Sequence, residues 1–215
     1  MSGLPDLEGV STAALSDALD RCGRSGVLVG IVPLADGQTL VGRAFTVRYR
    51  PAGYPAGSVG DYLDDVSPGE VVVLDNQSRG DATVWGDILT AMAHQRGVVG
   101  TVIDGVNRDV RRALNLRYPI YSRGRAMRTG KDRVEVDRVG SPVGIAGVHV
   151  SPGDLLVGDD DGVVVIPTDI EDEVLAIARA ISESELAILS AVLGGASLAA
   201  ARASHGYHTL QRRDR

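Results

Sequence analysis

The sequence predicts an α/β or mixed α+β domain, with layers of both kinds of structure. Three observations carry this. Short apolar β runs alternate with helical patterns, Pro-Gly turns open two of those runs, and 215 residues at 44% hydrophobic content can fill a substantial core. That length fits one large domain or at most two small ones, and a single domain over residues 1–215 is the expectation.

The elements follow in order. Residues 11–21 read as a helix: Ser11 or Thr12 caps it, and Ala14, Leu15, Ala18 and Leu19 share one face. Residues 26–34 are mostly Val, Ile and Leu. Gly37 turns the chain into residues 40–50, where Ala44, Phe45, Val47 and Tyr49 mark a strand. Residues 51–60 hold two prolines and three glycines, a loop long enough to suggest a functional one. Pro68-Gly69 leads into a buried strand at 71–74, and Pro152-Gly153 repeats the pattern before 155–157. An acid, Glu70 or Asp154, sits between turn and strand each time; two copies are too few for a repeat protein.

Residues 86–96 form the next predicted helix, with Ile88, Leu89, Met92 and Ala93 as its apolar stripe and Gly97 as its end. A buried strand at 98–103 turns out at Asp104-Gly105. A short helical turn at 108–114 and a strand at 118–121 come next, and 123–141 is polar and basic without a clear period. Residues 143–150 and 155–167 supply further β structure, the latter broken by the hairpin signal Asp161-Gly162. A long helix over 170–193 ends at Gly194-Gly195, and residues 205–215 are expected to fray.

Composition excludes several classes. Lys and Arg total 22 against 28 Asp and Glu, so the formal charge is −6. With no long basic block, nonspecific nucleic-acid binding is not expected. The one cysteine, Cys22, excludes an internal disulfide and a cysteine-cluster metal site, and reads as an inert thiol. No apolar run reaches the roughly 18 residues of a membrane span, and the acidic start is unlike a signal peptide, so a cytoplasmic protein is expected.

The sequence lacks a Gly-x-Ser-x-Gly elbow, a phosphate loop and Gly-x-Gly-x-x-Gly. His94, His149, His205 and His208 have no ligand spacing, and His94 reads as a packed or solvent-facing helix residue. Asp159-Asp160-Asp161 lacks the alternation of a calcium loop and reads as a solvated hairpin turn.

Residues 75–112 are different. Asp75–Asp81 and Asp104–Asp109 each follow the carboxyl end of a predicted strand, where ligands of open α/β sheets bind. Gly86-Asp87 opens a helix between them. The backbone N–H groups of Ile88 and Leu89 then suit a carboxylate, Arg108 adds a bidentate clamp, and Asp109 is a hard oxygen ligand for Mg²⁺ or Mn²⁺. Taken singly, Asp87 is a first-turn acid and Arg108-Asp109 a turn pair; together they favour a site.

On these residues the chain resembles the 4-hydroxy-4-methyl-2-oxoglutarate aldolases, a family that also holds oxaloacetate decarboxylases and the regulator of ribonuclease activity A. The resemblance rests on Gly86-Asp87-Ile88-Leu89, on residues 97–109, and on the twenty residues between Asp87 and Arg108. It extends to residues 16–20, 41–47, 146–154 and 159–167. It implies a layered α/β/β/α sandwich, a homotrimer or homohexamer with sites between subunits, a divalent cation, and a small 2-oxo acid substrate yielding pyruvate. Carried across, Asp109 is the metal ligand and Arg108 binds the pyruvyl oxygens. The amides after Gly86 hold the carboxylate, and Asp87 positions water or relays a proton. Glu183 or Glu185 matches the acid the family borrows from a neighbouring subunit. One departure stands out: three residues after Asp109 the family's enzymes carry an acid, and here Arg112 follows Arg111. The alternatives are a non-catalytic ribonuclease-regulator-like protein and a lyase for a specialised intermediate.

Overall fold

The computed structural model describes residues 3–206; most of the tail expected to fray lies outside them. Its helices are α1 (Thr12–Arg21), α2 (Asp87–Gln95), α3 (Val110–Leu116), α4 (Glu171–Leu193) and α5 (Leu198–Ser204). The strands are β1 (Val32–Pro33), β2 (Leu40–Pro51), β3 (Glu70–Arg79), β4 (Gly100–Asn107) and β5 (Ile120–Arg125), then β6 (Val134–Val139), β7 (Val143–Ile145), β8 (Val148–Val150), β9 (Leu155–Asp159) and β10 (Gly162–Ile166). They pack as two compact units, one from residues up to 26 and from 169 onward, the other from residues 27–168.

The first unit is helical. The Ser11 hydroxyl accepts the Ala14 N–H at 3.1 Å and caps α1, which buries Ala14, Leu15, Ala18 and Leu19, the predicted face. That face meets α4, whose Val174, Leu175, Ala178 and Ile181 recur at helical spacing. Glu171, Asp172 and Glu173 in the first turn of α4 complement the helix dipole. No helix among the described residues is long and apolar enough to cross a membrane.

The second unit is built on an eight-stranded sheet of order β1-β5-β4-β3-β2-β9-β10, with β6 paired to β2 as well. At twelve residues β2 is long enough to serve two partners: residues 40–43 pair antiparallel with β9, residues 47–51 with β6. Strands β2, β3, β4 and β5 run parallel; α2 connects β3 to β4, and α3 connects β4 to β5. Both faces of this centre are covered, which is why its strands read as unbroken apolar runs. On one face Val72, Leu74 and Ile103 pack with Trp85 and with Ala93 and Ala113 of α2 and α3. On the other, Val71, Val73 and Val102 pack with Val143, Ile145, Val148 and Val150 of the β7–β8 hairpin. The α/β class and the hairpin turn at 160–161 agree with the sequence reading.

Three segments differ from expectation. Only Val32–Pro33 of the apolar run 26–34 becomes a strand, and the patternless segment 123–141 contributes most of β5's end and all of β6. Strands β3 and β4 continue through Asp75, Asn76 and Asp104, which the sequence reading placed in loops. Their polarity is accommodated inside the sheet. Asp104, almost fully buried, accepts from Ser78 Oγ (2.9 Å), the Ala146 N–H (3.0 Å) and Arg123 Nε.

Candidate active site

Gly86 caps α2 without a side chain, so the N–H groups of its first turn have no side-chain acceptor. It lies directly beside the other two candidates. A Cβ on Gly86 would stand 3.0 Å from Asp109 Oδ2 and 3.4 Å from Arg108 Nε. The link after β4 is tied to the same place, because the Arg108 N–H donates to the Trp85 carbonyl at 3.0 Å. Trp85 is itself held, its Nε1–H donating to Thr90 Oγ1 (2.9 Å), whose hydroxyl donates to the Gly86 carbonyl (2.8 Å). Asp109 takes a left-handed conformation (φ 55°), which a short polar residue tolerates better than most. The structure therefore places Gly86, Asp87, Arg108 and Asp109 side by side.

Arg108 Nε lies 3.2 Å from Asp109 Oδ2, with the side chains 39% and 44% exposed. An ion pair so open to water is weak, and both groups remain available to a ligand. Two clefts meet here. The first, about 530 Å³, is lined by Gly86, Asp87, Ile88, Leu89 and Arg108 on one side and by Gly57–Gly60 on the other. That volume suits a small organic molecule, for which pockets run from about 300 to 1,000 Å³. The second, about 850 Å³, is lined by Asp87 and Asp109 with residues of α3. Asp87 is thus common to both. Among the described residues no three His, Cys, Asp or Glu side chains gather into a closed metal site.

The loop 51–60 forms a wall of the first cleft, and Glu135 holds it. This buried carboxylate accepts from the Gly57 N–H (2.7 Å), the Gly53 N–H (3.1 Å) and Arg50 (2.8 and 2.9 Å). Those donors, the Gly57 amide foremost, hold its pKa below the ordinary glutamate value. Farther along, Gly60 abuts α2: a Cβ there would fall 2.7 Å from Leu89 Cδ2.

The sequence reading missed Lys131, which lines the first cleft. One signal could have found it: Lys131 is the one lysine of the chain, against twenty-one arginines. It also missed Asp61 and Asp64, in a 3₁₀ turn on the same wall. Glu183 and Glu185 are exposed on α4 in the first unit. His94 is exposed, and Cys22 is half-buried, its thiol pushed up by burial and then by Glu173.

Residues 12–165 match the RraA-like family, described as Aldolase/RraA. The chain belongs to that family. Among its relatives, a Halalkalibacterium halodurans protein named "Putative 4-hydroxy-4-methyl-2-oxoglutarate aldolase" is 36% identical over 83% of this chain and 88% of its own length. Protein DlpA of Legionella pneumophila is 39% identical over 95% of this chain, which spans only 34% of DlpA. Two solved structures share the fold. An uncharacterized Pseudomonas syringae protein superposes with TM-score 0.86 at 42% identity, over 94% of this chain and all of that one. Streptomyces coelicolor RraAS2, titled an unusual member of the RNase ES inhibitor RraA family, gives 0.76 at 29% identity over 86% and 97%. The layered α/β sandwich is thus the fold of an RraA-like protein.

Proposed function

We propose that this RraA-like chain is a divalent-metal-dependent carbon–carbon lyase. It cleaves a 4-hydroxy-2-oxo acid, such as 4-hydroxy-4-methyl-2-oxoglutarate, to pyruvate, and decarboxylates oxaloacetate as a second activity. The observation that supports this best is the Arg108-Asp109 pair lying against Gly86, at the uncapped start of α2. An arginine fork, free helix N–H groups and an accessible carboxylate within one small-molecule cleft fit a 2-oxo acid.

Asp109 would hold the cation. One half-exposed carboxylate fits Mg²⁺ or Mn²⁺, which bind through one or two carboxylates and keep several waters. When bound, such an ion supplies Lewis-acid polarisation of the 2-oxo group. The N–H groups of Ile88 and Leu89 receive the substrate carboxylate. Arg108 places positive charge where the C2 oxygen becomes anionic as the C3–C4 bond breaks. The electron pair of that bond moves toward C2, giving the enolate of pyruvate, and a proton must leave the 4-hydroxyl. Asp87, on both clefts, takes that proton through a water and supplies one to C3. We place the working unit as a homotrimer or homohexamer in the cytoplasm, with Glu183 or Glu185 reaching a neighbour's site and no nucleic-acid or membrane partner.

The family's name and the likeness to RraAS2 favour a second reading, a non-catalytic protein-binding member. Pyruvate release separates the two. With Mg²⁺ or Mn²⁺, 4-hydroxy-2-oxo acids and oxaloacetate should yield pyruvate, a chelator should abolish this, and Arg108→Ala or Asp109→Ala should remove most of it. Absence of metal-dependent turnover with any 2-oxo acid would sink the lyase.

A further inference from the structure

The second cleft has a character of its own. Besides Asp87 and Asp109 it is lined by Arg111, Arg112, Arg125 and Asn115. Residues 108–133 carry nine Arg and Lys against two Asp, in a chain whose formal charge is −6. The guanidinium groups of Arg111 and Arg112 are exposed and make no hydrogen bond or ion pair with any described residue; Arg125 donates once, to the Leu34 carbonyl at 2.9 Å. Adjacent cations without counter-charge repel one another, and an anion seated between them relieves that repulsion. The planar guanidinium fork suits a carboxylate in particular.

We propose that Arg111 and Arg112, with Arg125 beside them, form a second anion subsite that receives a carboxylate on the fragment released from the substrate. This rests on the lyase reading above and assigns the residues that would hold the far carboxylate of its substrate. The geometry supports the division of labour: Arg108 lines the first cleft, Asp109 the second, and Asp87 both. A substrate spanning the junction would put its 2-oxo carboxylate at α2 and its far carboxylate at α3. Arg112, on the wall of the second cleft, becomes a specificity determinant, since an acid there would repel the group an arginine attracts.

The test compares a dianionic substrate, 4-hydroxy-4-methyl-2-oxoglutarate, with a monoanionic one, 4-hydroxy-2-oxopentanoate. The wild type should prefer the dianion, and Arg112→Ala and Arg111→Ala should each reduce the ratio of kcat/KM values about tenfold, the scale of one charge-assisted pair. Arg112→Lys, which keeps the charge without the fork, should recover part of the ratio. A ratio unchanged by all three variants overturns the subsite. So does a change of assembly size on gel filtration with the ratio intact, which would assign these arginines to a subunit contact. Metal-dependent deuterium exchange at C3 of pyruvate reports the enolising site independently. Exchange with no preference for the dianion leaves the lyase standing and refutes the subsite. If neither exchange nor turnover occurs, the lyase fails. Calorimetry with glutarate and butyrate then decides the subsite, which is upheld by glutarate binding that Arg112→Ala abolishes and overturned by equal binding of the two.

Discussion

Replacing Gly86 by alanine tests how tightly the site is built. The backbone tolerates the change: at φ −147° and ψ −164° Gly86 is in extended conformation, open to any residue. The stability cost is therefore small, about 1 kcal/mol for alanine at an N-cap, or a fall in Tm of about 2–4 °C at this chain length. The site is less forgiving. The new methyl would lie 3.0 Å from Asp109 Oδ2 and 3.4 Å from Arg108 Nε, so the carboxylate must retreat by a few tenths of an ångström. Since a misplacement of about 1 Å can cost about a hundredfold, a loss of roughly tenfold in kcat/KM is expected. Pyruvate release measured beside thermal melting separates the two effects. Activity within twofold of wild type, with the fold intact, would show that the closeness of these three residues has no catalytic meaning.

Other consequences follow from buried charges. Asp104→Ala strands Arg123 and the Ala146 N–H, and should destabilise by about 3 kcal/mol in urea unfolding, the lower end for a broken buried pair because Arg123 is 28% exposed. Arg123→Ala in the same background should recover part of it, and a full additive loss refutes the coupling. Glu135 has a lowered pKa, so its stabilisation is present above the unfolded glutamate pKa and disappears as pH falls through the lower folded value. Glu135→Gln should accordingly destabilise at pH 7, with the difference shrinking in acid, and a pH-independent difference would contradict the assignment. Asp75 is opposite in sign. Burial above all raises its pKa, against the Gln77 N–H and Arg48, so it weakens the fold as pH rises through that value. Asp75→Asn should match or exceed wild-type stability at pH 7 and lose that advantage in acid, as parallel melts at the two pH values would show.

What the sequence disclosed, and what it hid, divides along physical lines. Local signals survived folding: Ser11 caps α1, Gly86 opens α2, and Asp160-Asp161, just ahead of Gly162, turns a hairpin one residue earlier than the Asp161-Gly162 signal, because each depends on a few neighbours along the chain. The closeness of Gly86 to Arg108-Asp109 has a related reason: Gly86 follows β3 and Arg108-Asp109 follows β4, its parallel neighbour, so both lie at the same sheet end. Asp75 and Asp104 misled because polarity alone reads as loop. Their burial depends on partners up to 42 residues away, such as Ala146, that no local window contains.

The loop 51–60 shows the same limit from the functional side. Its prolines and glycines announce a loop, yet what makes it a wall of the cleft is Glu135, which is 78 residues beyond Gly57. A Cβ at Gly57 would stand 3.2 Å from Glu135 Oε2, so a larger residue would press the carboxylate back from the backbone by a few tenths of an ångström. The two ends of the loop are thus fixed by different partners, the glutamate near Gly53 and Gly57 and Leu89 of α2 at Gly60. Because Leu89 belongs to the turn proposed to bind the substrate carboxylate, displacement of the loop would be felt there directly. A cleft held in this way couples the proposed binding helix to β6, an element that carries none of the proposed catalytic groups. Glu135→Gln should therefore raise KM more than it lowers kcat. A fall in kcat alone would show that the loop bears on the chemistry and not on binding.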